Sequence, residues 1–265
     1  MRLLFVGDVV GAPGRSILRA LLAPLKAETG SALAIVNGEN AAGGAGLTTA
    51  TAEELLAAGA DVITTGNHVW NKREATTLLE REPRILRPAN YPEPCPGRGM
   101  TVVSAGGIAV AVANIMGRVF MPLVNDPFRA ADRILEELAG RARVILFDVH
   151  AEATSEKMAL GWYLDGRVSA VLGTHTHVAT ADARVLPGGT AFMTDVGMTG
   201  PYRSVIGVRT ELVLQRFLTQ RPIAYETADE DVRLAGALVE VDPASGRAIS
   251  IERVERAMSA GGGSA

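Results

Sequence analysis

The sequence is poor in cysteine and in aromatic residues, and it lacks a long hydrophobic run. Its one cysteine, Cys95, cannot form a disulfide within the chain, which favours a reducing compartment such as the cytoplasm. No apolar stretch approaches the ~20 residues needed to span a membrane, and residues 2–7 resemble a first strand more than a signal peptide. We therefore expect neither a membrane anchor nor a secretion signal.

The sequence also lacks any block of like charge. The 26 basic and 29 acidic residues give a net charge of −3, which argues against electrostatic binding to long nucleic acids or to a membrane surface. A small anionic substrate remains compatible with this charge, because a bound metal ion can supply positive charge locally.

Short apolar runs alternate with helical patterns in the first half of the chain. Strands are predicted at residues 3–6, 33–36 and 61–64, with helices between them, and this order predicts a parallel sheet with right-handed crossovers. Residues 51–54 are interpreted as a capping box for a helix that ends at Gly59, and Asn71 with Glu74 as the cap of the next helix.

The second half begins after a proline-rich segment, residues 84–99, which is predicted to be a linker. Residues 115–124 have no clear period, and a substrate lid, an oligomer contact and core packing all remain open for them. The other predictions are hairpins at 101–113, 183–193 and 234–254, helices at 126–139, from 155 onward and at 210–218, and strands at 144–147 and 168–172.

A Gly-Thr-His-Thr-His motif at residues 173–177 follows the last of these strands. In extended geometry, His175 and His177 would face the same side and could approach one point in space, as metal ligands do. Two neighbouring histidines are also common as surface polar residues. The motif alone leaves both interpretations open.

Five predicted strands end in segments that carry metal-ligand or acid-base side chains, and all four histidines of the chain belong to these segments. Because the carboxyl ends of parallel strands line one edge of an open α/β sheet, we expect these side chains to converge there. The residues concerned are Asp8, Glu39, Asn40, Asn67, His68, His150, His175 and His177.

Carboxylate, amide and imidazole groups without a thiolate suit iron, manganese, nickel or zinc in mixed nitrogen and oxygen coordination. The set exceeds the four ligands of one structural zinc, so two metals are predicted. A bridging carboxylate would hold them roughly 3.5–4 Å apart, where they can bind a phosphate and activate a water or hydroxide.

The motifs resemble those of the metallophosphoesterase superfamily, whose Gly-Asn-His and Gly-x-His-x-His blocks are matched at residues 66–68 and 173–177. Two blocks depart from the usual pattern: Asp8-Val9-Val10 replaces Asp-x-His, and Gly38-Glu39-Asn40 replaces Gly-Asp. These departures, and segments 148–157 and 194–201, are similar to a bacterial subfamily of the 2′,3′-cyclic-nucleotide 2′-phosphodiesterase type.

The resemblance covers nearly the whole chain. It implies an α/β fold, a layered α/β/β/α sandwich with central mixed sheets, as a single domain over residues 1–258. Three consecutive glycines, Gly261 to Gly263, predict a flexible tail at 259–265. The resemblance favours iron over manganese, a choice that the ligands alone do not make, and it implies that His68 acts as general acid. The implied ligands are Asp8, Glu39, Asn40 and His177 for metal one, and Glu39, Asn67, His150 and His175 for metal two.

The implied function is hydrolysis of small nucleotides, 2′,3′-cyclic or 3′,5′-cyclic, by a metal-bridging hydroxide. A phosphomonoesterase or 5′-nucleotidase is an alternative, because the same metal core supports it. A regulatory nucleotide- or protein-binding protein with little turnover is another. The expected partner is a small phosphodiester or nucleotide, with no long nucleic acid and no membrane, and a homo-oligomer is left open.

Overall fold

A computed structural model of the protein describes residues 1–257, so the predicted tail at 259–265 lies outside the described residues. The helices are α1 (Gly11–Thr29), α2 (Thr49–Ala57), α3 (Ala75–Arg81), α4 (Pro127–Leu138), α5 (Thr154–Leu164) and α6 (Thr210–Thr219). The strands are β1 (Arg2–Val6), β2 (Asp8–Val9), β3 (Ser31–Asn37), β4 (Val62–Thr64), β5 (Ile85–Leu86), β6 (Met100–Ala105), β7 (Ile108–Met116), β8 (Val144–His150), β9 (Ala170–Thr174), β10 (Arg184–Val185), β11 (Ala191–Met193), β12 (Met198–Pro201), β13 (Val232–Val241) and β14 (Ala248–Ala257).

The strands form two mixed sheets. The first has the order β2-β12-β13-β1-β3-β4-β5, with β14 also paired to β13, and its strands β1, β3, β4 and β5 run parallel. The second has the order β10-β11-β9-β8-β7-β6, with a parallel centre and antiparallel edge strands. Antiparallel pairing of β13 with both β1 and β14 brings the C-terminal hairpin into the middle of the first sheet.

Alternation along β1 shows how the layers pack. Leu3 and Phe5 face the second sheet and contribute to a shared core with residues such as Leu146, whereas Leu4 and Val6 face the helices α1 and α2. All four side chains are buried, as expected for a strand that is covered on both faces. Helices α4 and α5 cover the outer face of the second sheet. The predicted α/β/β/α layering with mixed sheets is thereby confirmed.

Both predicted helix caps in the first half of the chain were wrong in detail. Helix α2 is capped by Thr48, whose hydroxyl accepts from the backbone nitrogen of Thr51, so the capping box begins three residues earlier than predicted. Helix α3 has no side-chain cap, because the Glu74 carboxylate instead accepts from the backbone nitrogen of Thr49. Glu74 therefore ties two helices together.

Short strands account for the other differences. The linker predicted at residues 84–99 contains β5, whose two residues are buried and pair with β4. Strands β2 and β12 were not predicted, because two to four residues carry no readable alternation. The three predicted hairpins and the helices at 126–139 and 210–218 are confirmed. Across residues 1–257, none of the helices combines the length and the apolar character of a membrane span.

The segment at residues 115–124 is divided in the structure. Ile115 and Met116 are buried at the end of β7, so core packing applies to them. Beyond them the chain is irregular, and Phe120 and Leu123 are 89% and 97% exposed. The lid and the oligomer contact therefore remain predictions for the exposed part alone.

Candidate metal centre

The predicted site residues come together, but at the ends of two sheets and not along the edge of one. Asp8, the pair Glu39 and Asn40, and the pair Asn67 and His68 follow β1, β3 and β4 of the first sheet, and Asp8 itself opens β2. His150 ends β8, and the two remaining histidines follow β9, both in the second sheet. The expectation of a single sheet edge was wrong, since the chain starts a second sheet at β6.

One group of side chains surrounds the Nε2 atom of His150. This nitrogen lies 3.0 Å from Asn67 Oδ1, 3.0 Å from His175 Nδ1 and 3.2 Å from Glu39 Oε1. One ring nitrogen donates or accepts a single hydrogen bond, so three such neighbours exceed its capacity. Glu39, His150 and His175 offer ligand atoms within 4.8 Å of one another, a spacing that fits a shared cation.

A second group lies beside the first, around the Nε2 atom of His177. The Asn40 amide lies 2.9 Å from this nitrogen, and Asp8 Oδ1 lies 4.0 Å from it. Asp8 Oδ1 is also 3.9 Å from His150 Nδ1, so the Asp8 carboxylate lies between the two groups.

Two carboxylate oxygens provide the test of whether this donor set fits metal ions. Among residues 1–257, Asp8 Oδ1 and Glu39 Oε1 are buried and accept no hydrogen bond. An unsatisfied buried acceptor costs about 1–3 kcal/mol, and more when it is charged. Both oxygens face imidazole nitrogens at 3.2–4.0 Å. Buried anionic oxygens next to imidazoles are a fitting donor set for divalent metals.

The motif histidines occupy a tight turn, which corrects the expectation of extended geometry. His175 has φ of 99° and His177 has φ of 65°, both in the left-handed region that non-glycine residues rarely adopt. The His175 backbone nitrogen donates to Asp8 Oδ2, and the His177 ring lies 2.8 Å from the Ile206 carbonyl through Nδ1. The turn therefore separates the two imidazoles, and each joins a different group.

His68 lies at the edge of both groups. Its Nδ1 is 2.9 Å from Asn40 Oδ1 and 3.3 Å from Glu39 Oε1, and its backbone nitrogen donates to Glu39 Oε2. Its side chain is 34% exposed, whereas that of His150 is fully buried. His68 is therefore both oriented by the donor set and accessible from outside.

A buried relay orients the His150 ring. Its Nδ1 lies 2.9 Å from the hydroxyl of Thr174, which donates to Asp148 Oδ1, and Asp148 Oδ2 accepts from Asn37 and Thr64. Since the Thr174 proton points to Asp148, Nδ1 of His150 carries its proton toward Thr174, and Nε2 is left for a metal. Sequence analysis missed Asp148, although it lies within the segment 148–157 that carried the family resemblance.

The pKa values reflect this concentration of buried charge. Burial would lower the pKa of His150, but the carboxylates of Glu39 and Asp8 outweigh it and raise that pKa to about 9. Burial raises the pKa of Glu39, but the imidazoles of His150 and His68 together shift it well below its ordinary value. Burial and the charge on His150 lower the pKa of His175 to about 3. The carboxylates thus stabilise one positive charge at the centre, and a bound metal cation would provide such a charge.

Gly66 explains why the Gly-Asn-His block begins with glycine. A Cβ atom at this position would lie 2.2 Å from two ring atoms of His150 and 2.4 Å from Glu39 Oε2. The backbone that follows β4 can therefore approach the donor set only because residue 66 has no side chain. Sequence analysis assigned no role to this residue.

The layered fold and this donor set define a metal-dependent phosphoesterase of the metallophosphoesterase type. The particular family follows from a family model, described as YmdB-like protein, that matches residues 4–254. The chain belongs to this family, and the resemblance drawn from its motifs is confirmed.

Individual relatives agree with this assignment. The chain is 49% identical over 254 residues to the 2′,3′-cyclic-nucleotide 2′-phosphodiesterase of Bacillus subtilis (strain 168), covering 96% of each protein. A crystal structure of a hypothetical protein from Thermus thermophilus superimposes with a TM-score of 0.92 at 46% identity, covering 97% of this chain and 99% of that one. A crystal structure described as a novel phosphatase from Mycoplasma pneumoniae gives 0.91 at 34% identity, covering 97% and 93%.

Proposed function

We propose that the protein is a dinuclear metal-dependent phosphodiesterase that hydrolyses small cyclic nucleotides, with 2′,3′-cyclic nucleotides as the first candidates and 3′,5′-cyclic nucleotides as the second. The observation that carries this proposal is the pair of buried carboxylate oxygens, Asp8 Oδ1 and Glu39 Oε1, which lack hydrogen-bond donors among residues 1–257 and face imidazoles of both groups. The Bacillus subtilis relative supports the substrate class.

The proposed ligands follow the two groups of side chains. Glu39 would bridge the ions, and iron is the first candidate with manganese as the second. The remaining ligands would be Asp8, Asn40 and His177 for one ion, and Asn67, His150 and His175 for the other. When bound, such a pair supplies positive charge to the phosphoryl oxygens and makes hydroxide available for attack at neutral pH.

His68 would protonate the leaving oxygen. As the bond between phosphorus and O2′ breaks, its electron pair stays on O2′, and an imidazolium at the edge of the donor set can deliver the proton. Contacts of Nδ1 with Asn40 and Glu39 orient the ring and stabilise its charged form. The products would be a free 2′-hydroxyl and a nucleoside 3′-phosphate.

The test compares chelated and metal-reconstituted protein on 2′,3′-cyclic AMP, 3′,5′-cyclic AMP and 5′-AMP, with identification of the products. The proposal predicts that chelation abolishes hydrolysis, that manganese or iron restores it, and that 2′,3′-cyclic AMP yields the 3′-phosphate. Preferred release of phosphate from 5′-AMP would favour a 5′-nucleotidase instead. Tight nucleotide binding by metal-loaded protein without turnover would favour a regulatory binder.

We also propose that residues 1–258 form one catalytic domain and that the protein works in a reducing cytoplasm. The shared core between the sheets supports the first point. The unpaired thiol of Cys95 supports the second. For the exposed residues 118–124 we propose a contact between copies of this chain or a substrate lid, and light scattering in solution tests the former.

A further inference from the structure

Lys157 is a buried cation that the proposed reaction does not use. Its side chain is 1% exposed within α5, and its Nζ donates to the Thr174 carbonyl and to Asp195 Oδ2, each at 2.7 Å. Burying such a pair carries a desolvation penalty that can exceed the attraction between the ions, and well-packed apolar residues of similar volume are often equally stable or more so. Stability alone therefore gives a weak reason for this pair, and its contacts need another explanation.

Asp195 extends these contacts to the turn that carries the motif histidines. Its Oδ2 accepts from the backbone nitrogen and the hydroxyl of Thr176, at 3.1 Å and 2.8 Å, and its Oδ1 accepts from the Gly197 nitrogen. Thr176 lies between the two histidines with positive φ. The turn comprises residues 174–177. The pair thus holds it at Thr174, through the carbonyl, and at Thr176, through the backbone nitrogen and the hydroxyl.

Such a turn needs external support. Left-handed backbone at a non-glycine residue is strained and persists only where the surroundings enforce it. Gly173 lets the support come close, because a Cβ there would lie 1.7 Å from the Thr194 carbonyl and 2.8 Å from Lys157 Cδ. The segment that contains Thr194 and Asp195 is therefore packed directly against β9, the strand that leads into the turn.

We propose that Lys157 and Asp195 form a positioning pair, which holds the 174–177 turn in its strained shape and thereby sets the separation of the His175 and His177 imidazoles. Neither residue belongs to the proposed metal ligands, so each would act through the turn that it holds. The inference rests on the proposed function, because it takes both histidines to be metal ligands. It gives a role to Lys157 of segment 148–157 and to Asp195 of segment 194–201, two residues that the proposed chemistry does not use.

The test is a cobalt titration of metal-free protein, followed by visible absorption and by metal analysis after dialysis. Thr176→Val removes one hydrogen bond and keeps the ion pair, whereas Asp195→Asn removes the charge that Lys157 faces. Both variants should bind cobalt about ten- to a hundredfold more weakly than wild type, with a changed absorption spectrum and an unchanged far-ultraviolet circular dichroism spectrum. Saturating metal should restore much of the activity of Thr176→Val.

Lys26→Met is the matched control, because Lys26 also pairs with an aspartate, Asp61, but away from the turn. It should bind cobalt as wild type does. If Asp195→Asn does not fold, Thr176→Val decides the matter. Wild-type cobalt affinity and spectrum in folded Thr176→Val would overturn the positioning role and leave the proposed function intact. A wild-type protein that binds no cobalt would overturn the proposed function and this inference together.

Discussion

His150 Nε2 lies 3.0 Å from His175 Nδ1, where His150 ends β8 and His175 directly follows the neighbouring strand β9. Pairing of β8 with β9 brings the two residues close, but Asn67 and Glu39 also lie within 3.2 Å of the same nitrogen, which can make only one hydrogen bond. A cation held by Glu39, His150 and His175 would account for all these contacts at once.

Glu39→Gln should lower the amount of bound metal. The substitution preserves the size of the side chain but removes the charge that would bridge two ions, so we expect the stoichiometry to fall from two ions to one or fewer and turnover to fall by at least about a hundredfold. Metal analysis after dialysis measures the first effect. Glu53→Gln, on the exposed face of α2, is the control and should retain both ions.

His68→Ala should separate acid catalysis from metal binding. Hydrolysis of 2′,3′-cyclic AMP, whose leaving alkoxide needs a proton, should fall about 10²- to 10⁴-fold. Hydrolysis of bis-p-nitrophenyl phosphate should fall much less, because p-nitrophenolate leaves without protonation. Metal content should be unchanged. Equal losses on both substrates would remove the general acid from the mechanism.

Gly66→Ala should disrupt the donor set through a clash. The added Cβ would overlap the His150 ring, and relief of such overpacking typically costs about 1–3 kcal/mol. We expect a lower melting temperature together with loss of bound metal. The control is Gly106→Ala in the turn between β6 and β7. There an added Cβ would meet no atom within 4 Å beyond its chain neighbours, but φ is +59°. Backbone strain should lower the free energy of unfolding of this variant by about 1–2 kcal/mol, and the bound metal should be retained.

Thr174→Val should weaken metal binding although Thr174 is not itself a proposed ligand. It breaks the relay that gives His150 its tautomer, so we expect a loss of metal affinity of about ten- to a hundredfold. Thr190→Val is the matched control, because Thr190 is equally buried and donates to the Val168 carbonyl outside the site. A competition titration with a chelating dye measures both, and an equal effect in both variants would contradict the relay.

The sequence allowed the candidate ligands to be predicted because each belongs to a short motif directly after an apolar run. Asp8, Glu39, Asn67 and His150 were located in this way, and the structure brings them together. Which of these strands belongs to which of the two sheets was not predictable from local patterns, because strand pairing is a long-range property that they leave unspecified.

The supporting residues were harder to recognise. Lys157 and Asp195 look like ordinary surface charges in the sequence, since charged residues are seldom fully buried and nothing local distinguishes the exceptions. The left-handed turn at His175 and His177 also gave no signal, because that conformation is normally marked by glycine or asparagine. Both features depend on contacts between distant segments of the chain.

The central claim, that two metal ions share the Glu39 carboxylate, is tested most directly by anomalous scattering from crystals of the metal-loaded protein, measured at the absorption edge of the bound metal. The account predicts two separate peaks, one beside His150 and His175 and one beside Asp8 and His177, with Glu39 between them. A single peak, or a pair of peaks that does not share Glu39, would contradict it.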